Sequence, residues 1–279
     1  MIHEIFPNLF NNQFLTINSI DDDDYILHYN ENSLLLKKNG NEFEIPKKKD
    51  FPNLLETIEK SFLFKLNHVS CFLVWNLGEK DDRMFVYKEV NFFRTFKQKE
   101  IAWICIVGFQ LMNWYLLNKY CGRCGSKTNE KTDERAIVCS KCKTVIYPKI
   151  SPAIIVAIIC NNKILLACNS NFSENWYSLL AGYADIGESL EETIVREVKE
   201  EVGLDVSNIR YYKSQPWPYS GSMMIGFFAT ADDAQPICID NKEITDAKWF
   251  ARNDLPNHPT NLSIAGEMIE MFERGEINI

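Results

Sequence analysis

The chain has 279 residues, room for two domains, and its 46% hydrophobic and 13% aromatic content excludes an intrinsically disordered protein. A formal charge of −8 argues against general affinity for nucleic acid. Nine cysteines, an opening segment without signal-peptide character and no apolar run near the roughly 20 residues that cross a bilayer point to a cytoplasmic protein with no membrane association.

Residues 1–95 read as a separate α/β module, with strands at 33–37 and 71–76, a helix over 52–64 and no catalytic constellation. The acidic run 21–24 is expected to be a solvated turn. An aromatic and aliphatic helical pattern over 97–119 leads into Cys121-x2-Cys124 and Cys139-x2-Cys142, fourteen residues apart. That spacing suits a four-thiolate zinc ribbon, with a pair of disulfides as the rival arrangement. Four cysteine ligands leave no open coordination position, so one Zn²⁺ per chain would be structural. The ribbon carries only a modest basic cluster, so a fold staple is favoured over a nucleic-acid reader.

From residue 150 a second module begins. Apolar runs at 153–160 and 163–168 flank Asn161-Asn162, a hairpin signal. A strand at 176–180 is expected to enter the loop at Gly182. Beyond it Leu190, Ile194, Val195, Val198 and Val202 form a helical apolar stripe, and Gly203 marks its stop. Glu197, Glu200 and Glu201, at i, i+3 and i+4, converge on one flank of that helix. Such like charges destabilise a helix by roughly 0.2–0.5 kcal/mol per exposed pair. A bound cation is the simplest compensation, and hard oxygen donors favour Mg²⁺ or Mn²⁺; a solvated acidic face is the bland alternative. Strands at 211–214, 223–229 and 247–250 and a helix at 265–274 complete the module. Between them, Ser214-Gln215-Pro216-Trp217-Pro218-Tyr219-Ser220-Gly221-Ser222 reads as a stiff loop, its prolines fixing φ and Trp217 and Tyr219 offering flat faces for stacking.

Residues 182–204 meet every specified position of G-x5-E-x7-R-E-U-x-E-E-x-G-U (U aliphatic), through Gly182, Glu188, Arg196, Glu197, Val198, Glu200, Glu201, Gly203 and Leu204. The segment resembles the Nudix box. The S-Q-P-W-P-Y element, and the order of zinc ribbon, Tyr147-Pro148 junction, box and element, are similar to the NADH pyrophosphatase family from about residue 120 onward. Ser220 departs from that pattern, standing where many relatives have proline.

The resemblance implies an α/β chain of three parts. These are an N-terminal α/β domain with a connecting helix (1–116), a four-cysteine zinc ribbon (117–149) and a C-terminal Nudix α/β/α sandwich (150–279). It implies more than one Mg²⁺ or Mn²⁺ ion, held by Glu197, Glu200 and Glu201 with the Ala181 carbonyl and Glu243. The general base falls among these glutamates. Gly182, Glu188, Arg196 and Gly203 are implied to be structural, with Arg196 pairing with Glu188 across the loop–helix junction. Implied substrate contacts are Glu134, Tyr147, Tyr183, Gln215, Pro216, Trp217, Pro218, Tyr219, Ser220, Gly221, Ser222 and Ala265, in a homodimer with Tyr147 supplied across the interface. The implied reaction is metal-dependent cleavage of the diphosphate of NADH or NAD to NMN(H) and AMP. Removal of the NAD cap from RNA 5′ ends uses the same scissile bond and stays open as the main role. A non-catalytic NAD-sensing module is a further alternative, although such a module is expected to lose box carboxylates that this chain keeps.

Overall fold

Strand pairing organises the first hundred residues of the computed structural model, which describes residues 1–52, 54, 58–78, 81, 83–171, 175–239 and 241–277. Strands β1 (Phe10–Asn11), β2 (Tyr25–Leu27), β3 (Tyr29–Asn30), β4 (Ser33–Asn39), β5 (Glu42–Glu44), β6 (Lys60–Leu66), β7 (Val69–Val74) and β8 (Phe85–Glu89) fall into two sheets. One has the order β1-β6-β7-β2; in the other β4 pairs with β3, β5 and β8. Ile26, Leu35, Phe62, Phe72, Val74 and Phe85, drawn from both sheets, share one buried cluster.

The expected strands at 33–37 and 71–76 are present, but the helix over 52–64 is not. Lys60–Leu66 is a strand that turns back through Asn67 (φ 56°) onto β7, while positions 53 and 55–57 of that expectation lie outside the described residues. Ser61, Phe62, Leu63 and Phe64 are all buried, so both faces of β6 are covered and the polar alternation that marks a half-exposed strand is missing. The acidic run is more than a solvated turn. Asp22 pairs with Lys48 at 3.1 Å, Asp23 with Lys49 at 2.7 Å, and buried Asp24 accepts the Ser70 N–H at 3.0 Å.

Helix α1 (Lys99–Leu117) is long and apolar enough by composition to cross a bilayer, contrary to the expectation that no run comes close. Ten of its nineteen residues are buried, the packing expected of a helix that is hydrophobic on all sides. Beyond it, β9 (Thr128–Glu130), β10 (Ile137–Cys139) and β11 (Val145–Ile146) form the antiparallel zinc-ribbon sheet. The ribbon and the preceding α/β module make one compact unit, residues 2–149 with 218–220. The Thr16 hydroxyl donates to the Thr132 carbonyl at 2.8 Å, and Arg135 donates to the carbonyls of Leu63 and Asn12.

Met1, 150–217 and 221–279 make the other unit. It contains β12 (Ser151–Cys160), β13 (Lys163–Asn169), β14 (Leu180–Tyr183), α2 (Leu190–Val202), β15 (Ser207–Trp217), β16 (Ser222–Thr230), β17 (Ile244–Ala251) and α3 (Ile264–Arg274). Five strands run β15-β16-β12-β13-β17, and β14 adds to β12. Successive side chains of a strand point to opposite faces, and β12 sorts its residues accordingly. Ile154, Val156 and Ile158 pack with Ile194, Val198 and Val202 of α2, whereas Ile155 and Ala157 pack with Ile264, Met268 and Phe272 of α3. That is an α/β/α sandwich. Asn161 and Asn162, both at positive φ (45° and 64°), close the β12–β13 hairpin.

Two details differ from expectation. Val195 is 46% exposed, because a residue next to inward-facing Ile194 lies about 100° further round the helix. Residues 176–180 are not a strand: Trp176 and Ser178 make isolated bridges to Asn257 and Ala167, and pairing with β12 begins at Leu180.

Candidate active site

Helix α2 is fixed at both ends. Ser189 caps it, accepting the Glu192 N–H at 3.2 Å, while the Glu192 carboxylate accepts the Ser189 N–H at 2.7 Å. A cap of this kind is worth about 1 kcal/mol. Gly203 ends the helix in the left-handed region at φ 75°, donating to the Lys199 carbonyl at 3.1 Å.

The helix carries Arg196 into a hub. Its Nε donates to Glu188 Oε1 at 2.6 Å and its Nη2 to Glu188 Oε2 at 3.0 Å, a two-pronged pair between loop and helix. Nη1 donates to Glu197 at 2.9 Å and Glu200 at 3.3 Å, and Nη2 also donates to the Tyr183 carbonyl at 3.0 Å. Arg196 holds Glu188 down at about 2, with the Asp185 N–H helping.

One guanidinium is thus shared among three carboxylates and cannot neutralise them all. Glu197 registers the deficit. Burial raises its pKa and outweighs the opposing pull of Arg196, with the charges of Glu200 and Glu243 adding to the rise. Its carboxyl group lies where a Cβ on Gly182 would be, so glycine at that box position makes room for the carboxylate. Glu201 is buried at 7% exposure and Glu200 is exposed. Glu243 is exposed directly before β17, its carbonyl accepting the Ser170 N–H at 2.8 Å. Ala181 is exposed in β14 opposite Ile155, one residue from the Gly182 recess. Among the described residues only the four ribbon cysteines already place their ligand atoms around one point; the box glutamates, with Glu197 over the Gly182 recess and under the influence of Glu200 and Glu243, offer the all-oxygen chemistry that suits a hard divalent cation.

Of the implied substrate contacts, Tyr183 and Ser222 come together. The Tyr183 hydroxyl lies 3.0 Å from Ser222 Oγ, joining the box loop to the end of the S-Q-P-W element. That element is less of a loop than its prolines suggested. Gln215, Pro216 and Trp217 finish β15, paired with Met224, Met223 and Ser222, and only 218–221 turn. Gly221, at φ 69°, accepts the Ser151 N–H at 2.9 Å, and Ser220 is exposed. Gln215 is completely buried; its Nε2 donates to the Leu262 carbonyl at 3.1 Å and its Oε1 accepts the Ile264 N–H at 2.7 Å. The side chain therefore fastens the start of α3. Ala265, 5% exposed, belongs to the core under α3.

The remaining contacts lie in the unit of residues 2–149 with 218–220. Buried Pro218 precedes Tyr219, whose ring carries the Arg94 guanidinium at 4.4 Å, a neighbour that residue pattern did not reveal. Tyr147, 58% exposed, donates to Glu134 at 3.3 Å, and Glu134 also pairs with Lys131 at 2.5 Å.

Cys121, Cys124, Cys139 and Cys142 place their sulfurs within 4.8 Å of one another, with Sγ–Sγ distances of 3.6 Å (121–142) and 3.4 Å (124–139). A tetrahedral Zn²⁺ with bonds of about 2.3 Å sets sulfurs roughly 3.8 Å apart, so the four fit that ion. All nine cysteines are free thiols, which removes the disulfide alternative. The Thr144 hydroxyl and backbone pull Cys142 down to about 6, toward the thiolate that ligation requires.

The NUDIX domain model matches residues 149–272, the NADH pyrophosphatase zinc ribbon domain 117–147, and the NADH pyrophosphatase-like rudimentary NUDIX domain 23–114. The chain is 42% identical over 163 residues to the NAD-capped RNA hydrolase NudC of Escherichia coli strain SMS-3-5 / SECEC, and equally to that of E. coli O81 strain ED1a. Each match takes in 58% of this chain and 63% of the relative, so just under two thirds of the relatives' length is spanned. A Nudix hydrolase from Nitrosomonas europaea matches in structure with a TM-score of 0.49 and 20% identity, over 56% of this chain and 92% of that one. With the box, the ribbon and the rudimentary domain each matched in chain order, the chain belongs to the Nudix hydrolase superfamily, in its zinc-ribbon NADH pyrophosphatase family.

Proposed function

We propose that this chain hydrolyses the diphosphate bond of NADH or NAD, releasing NMN(H) and AMP, with Mg²⁺ or Mn²⁺ as catalytic cofactor. The observation that carries the reading is the Glu197 carboxyl, seated over Gly182 in a set of box carboxylates that Arg196 neutralises only in part. Glu197 and Glu201 would hold the ions, with Glu200, Glu243 and the Ala181 carbonyl completing the set. Divalent ions held there would supply charge neutralisation for a diphosphate and a lowered pKa for water. Arg196, gripped by Glu188, keeps the carboxylates in register. Glu200 or Glu243 takes the proton from the attacking water. Tyr183, 53% exposed and anchored through its hydroxyl to Ser222, offers its ring to the nicotinamide.

Pro216, Trp217, Pro218, Tyr219, Ser220 and Gly221 are assigned to substrate contact on the family resemblance. Gln215 and Ala265 act from the core, at the start of α3. Tyr147 and Glu134 act as a pair, supplied across the interface of a homodimer. The domain boundaries at 116/117 and 149/150, the structural Zn²⁺ and a cytoplasmic setting belong to the same reading.

Removal of an NAD cap from RNA is the second reading, favoured by the name of the 42% identical relatives. The scissile bond is unchanged, so one experiment addresses both. Purified protein is incubated with NADH, NAD, ADP-ribose and NAD-capped RNA in Mg²⁺ or Mn²⁺, and products are separated chromatographically. NMN(H) with AMP, or NMN with 5′-monophosphate RNA, abolished by EDTA, is the expected result. Cleavage of ADP-ribose without either dinucleotide rejects the substrate assignment.

A further inference from the structure

Thr193 occupies one of the seven unspecified positions between Glu188 and Arg196, and its side chain is completely buried. Its Oγ1 lies 3.1 Å from Glu188 Oε2 and 3.0 Å from the Ser189 carbonyl oxygen. A threonine hydroxyl has one proton to donate, so these two acceptors compete for it. If the Ser189 carbonyl wins, the contact is a local i→i−4 back-bond with no reach beyond the helix.

The surroundings of Glu188 favour the other outcome. Its Oε1 receives Arg196 Nε, while its Oε2 receives Arg196 Nη2 at 3.0 Å and the Asp185 N–H at 3.1 Å. A carboxylate is the stronger acceptor, and charge-assisted bonds are roughly twice as strong as neutral ones. Thr193 approaches from the protein interior and Asp185 from the loop, which fixes the carboxylate plane from two sides. Arg196, forked onto that plane, reaches on to Glu197 at 2.9 Å and Glu200 at 3.3 Å.

We propose that Thr193 is a positioning residue of the hydrolase site, donating its proton to Glu188 and so fixing the Arg196 guanidinium and, through it, the Glu197 carboxylate. The assignment rests on the proposed function for the statement that Glu197 holds a catalytic ion. Thr193 itself touches neither ion nor substrate.

The test uses Thr193→Val, which keeps the side-chain shape without the hydroxyl, Thr193→Ser, which keeps the hydroxyl, and Thr193→Ala, which removes the same proton should valine not pack. Mn²⁺ is titrated calorimetrically into each full-length, zinc-loaded protein, and NADH cleavage is measured against Mn²⁺ concentration. Loss of a group that orients a metal ligand typically weakens affinity 10- to 100-fold. Thr193 acts at one further remove, so a rise in Mn²⁺ Kd of about tenfold is expected in the Val and Ala variants. The Ser variant should stay within about twofold of wild type. Wild-type Mn²⁺ affinity in Thr193→Val, with NADH cleavage intact, overturns the assignment and leaves the hydrolase reading standing. A wild type that cleaves no dinucleotide overturns the hydrolase reading instead, and the calorimetric comparison still decides the role of Thr193.

Discussion

Replacing Gly182 by alanine should separate the catalytic arrangement from the fold that carries it. A Cβ at this position would overlap the Glu197 side chain at Cγ, Cδ and Oε1. These atoms form the far end of a flexible side chain, so Glu197 can rotate away without moving the backbone of β14. The rotation gives up the Arg196–Glu197 contact at 2.9 Å, whose partners are 29% and 15% exposed. An ion pair at that degree of exposure is worth at most about 1 kcal/mol. Gly182 is not at positive φ, so alanine also restricts the unfolded chain and returns roughly 0.4–1 kcal/mol. The two contributions nearly cancel, and the melting temperature should move by no more than about 4 °C.

Activity should respond differently. A carboxylate displaced by more than an ångström no longer holds its ion in place, and misplacement on that scale can cost on the order of 10²-fold. The assay is kcat/KM for NADH at saturating Mn²⁺, beside a thermal melt of the same preparation. Wild-type kcat/KM in Gly182→Ala would refute the claim that this glycine houses a working carboxylate. Gross unfolding would refute the claim that only a side-chain tip stands in the way.

Four other outcomes are expected. Glu201→Gln should lose at least about 10²-fold in kcat, the order associated with an essential catalytic group, with the circular dichroism spectrum unchanged. Gly203→Ala forces a side chain into the left-handed region and brings its Cβ to 3.0 Å from Cys238 Cβ. Urea denaturation should report a loss of about 1–2 kcal/mol. Cys142→Ser should lower zinc content from one ion per chain, measured by atomic emission. Finally, Glu197 keeps its proton to a higher pH in the folded protein than in the unfolded chain. Its contribution to stability is therefore full at acid pH and lost as pH rises from the ordinary 4.5 through the raised folded value. Without added Mg²⁺ or Mn²⁺, Glu197→Gln should consequently gain melting temperature over wild type toward neutral pH, and Mn²⁺ should remove the difference.

Where side chains contact near neighbours in the chain, their order revealed the structure. Ser189, Glu192 and Gly203 bound α2 by local bonds, and the i, i+3, i+4 spacing of Glu197, Glu200 and Glu201 needs only helical geometry. The Asn161-Asn162 turn and the two Cys-x2-Cys knuckles are equally local. Legibility failed where the partner is distant. Strand β6 exists because β7 and β1 flank it, and its wholly buried run has no alternation to announce it. Asp22 and Asp23 meet lysines about two dozen residues away, which no charge run foretells. At the site, the family resemblance implied that Gln215 contacts substrate, whereas the partners of its buried side chain lie 47 and 49 residues ahead. Thr193 escaped notice because the box leaves its position unspecified.

The buried clasp between Gln215 and the first turn of α3 has a practical consequence for mutagenesis. Changing Gln215 to alanine leaves the Ile264 N–H and the Leu262 carbonyl unmet, costing roughly 1–3 kcal/mol for each group that stays dry. A scan of Ser214-Gln215-Pro216-Trp217 aimed at ligand recognition would then record a folding defect at its second residue. Natural variation at 215 should accordingly track the residues that open the last helix, and leave nucleotide preference to its neighbours in the turn.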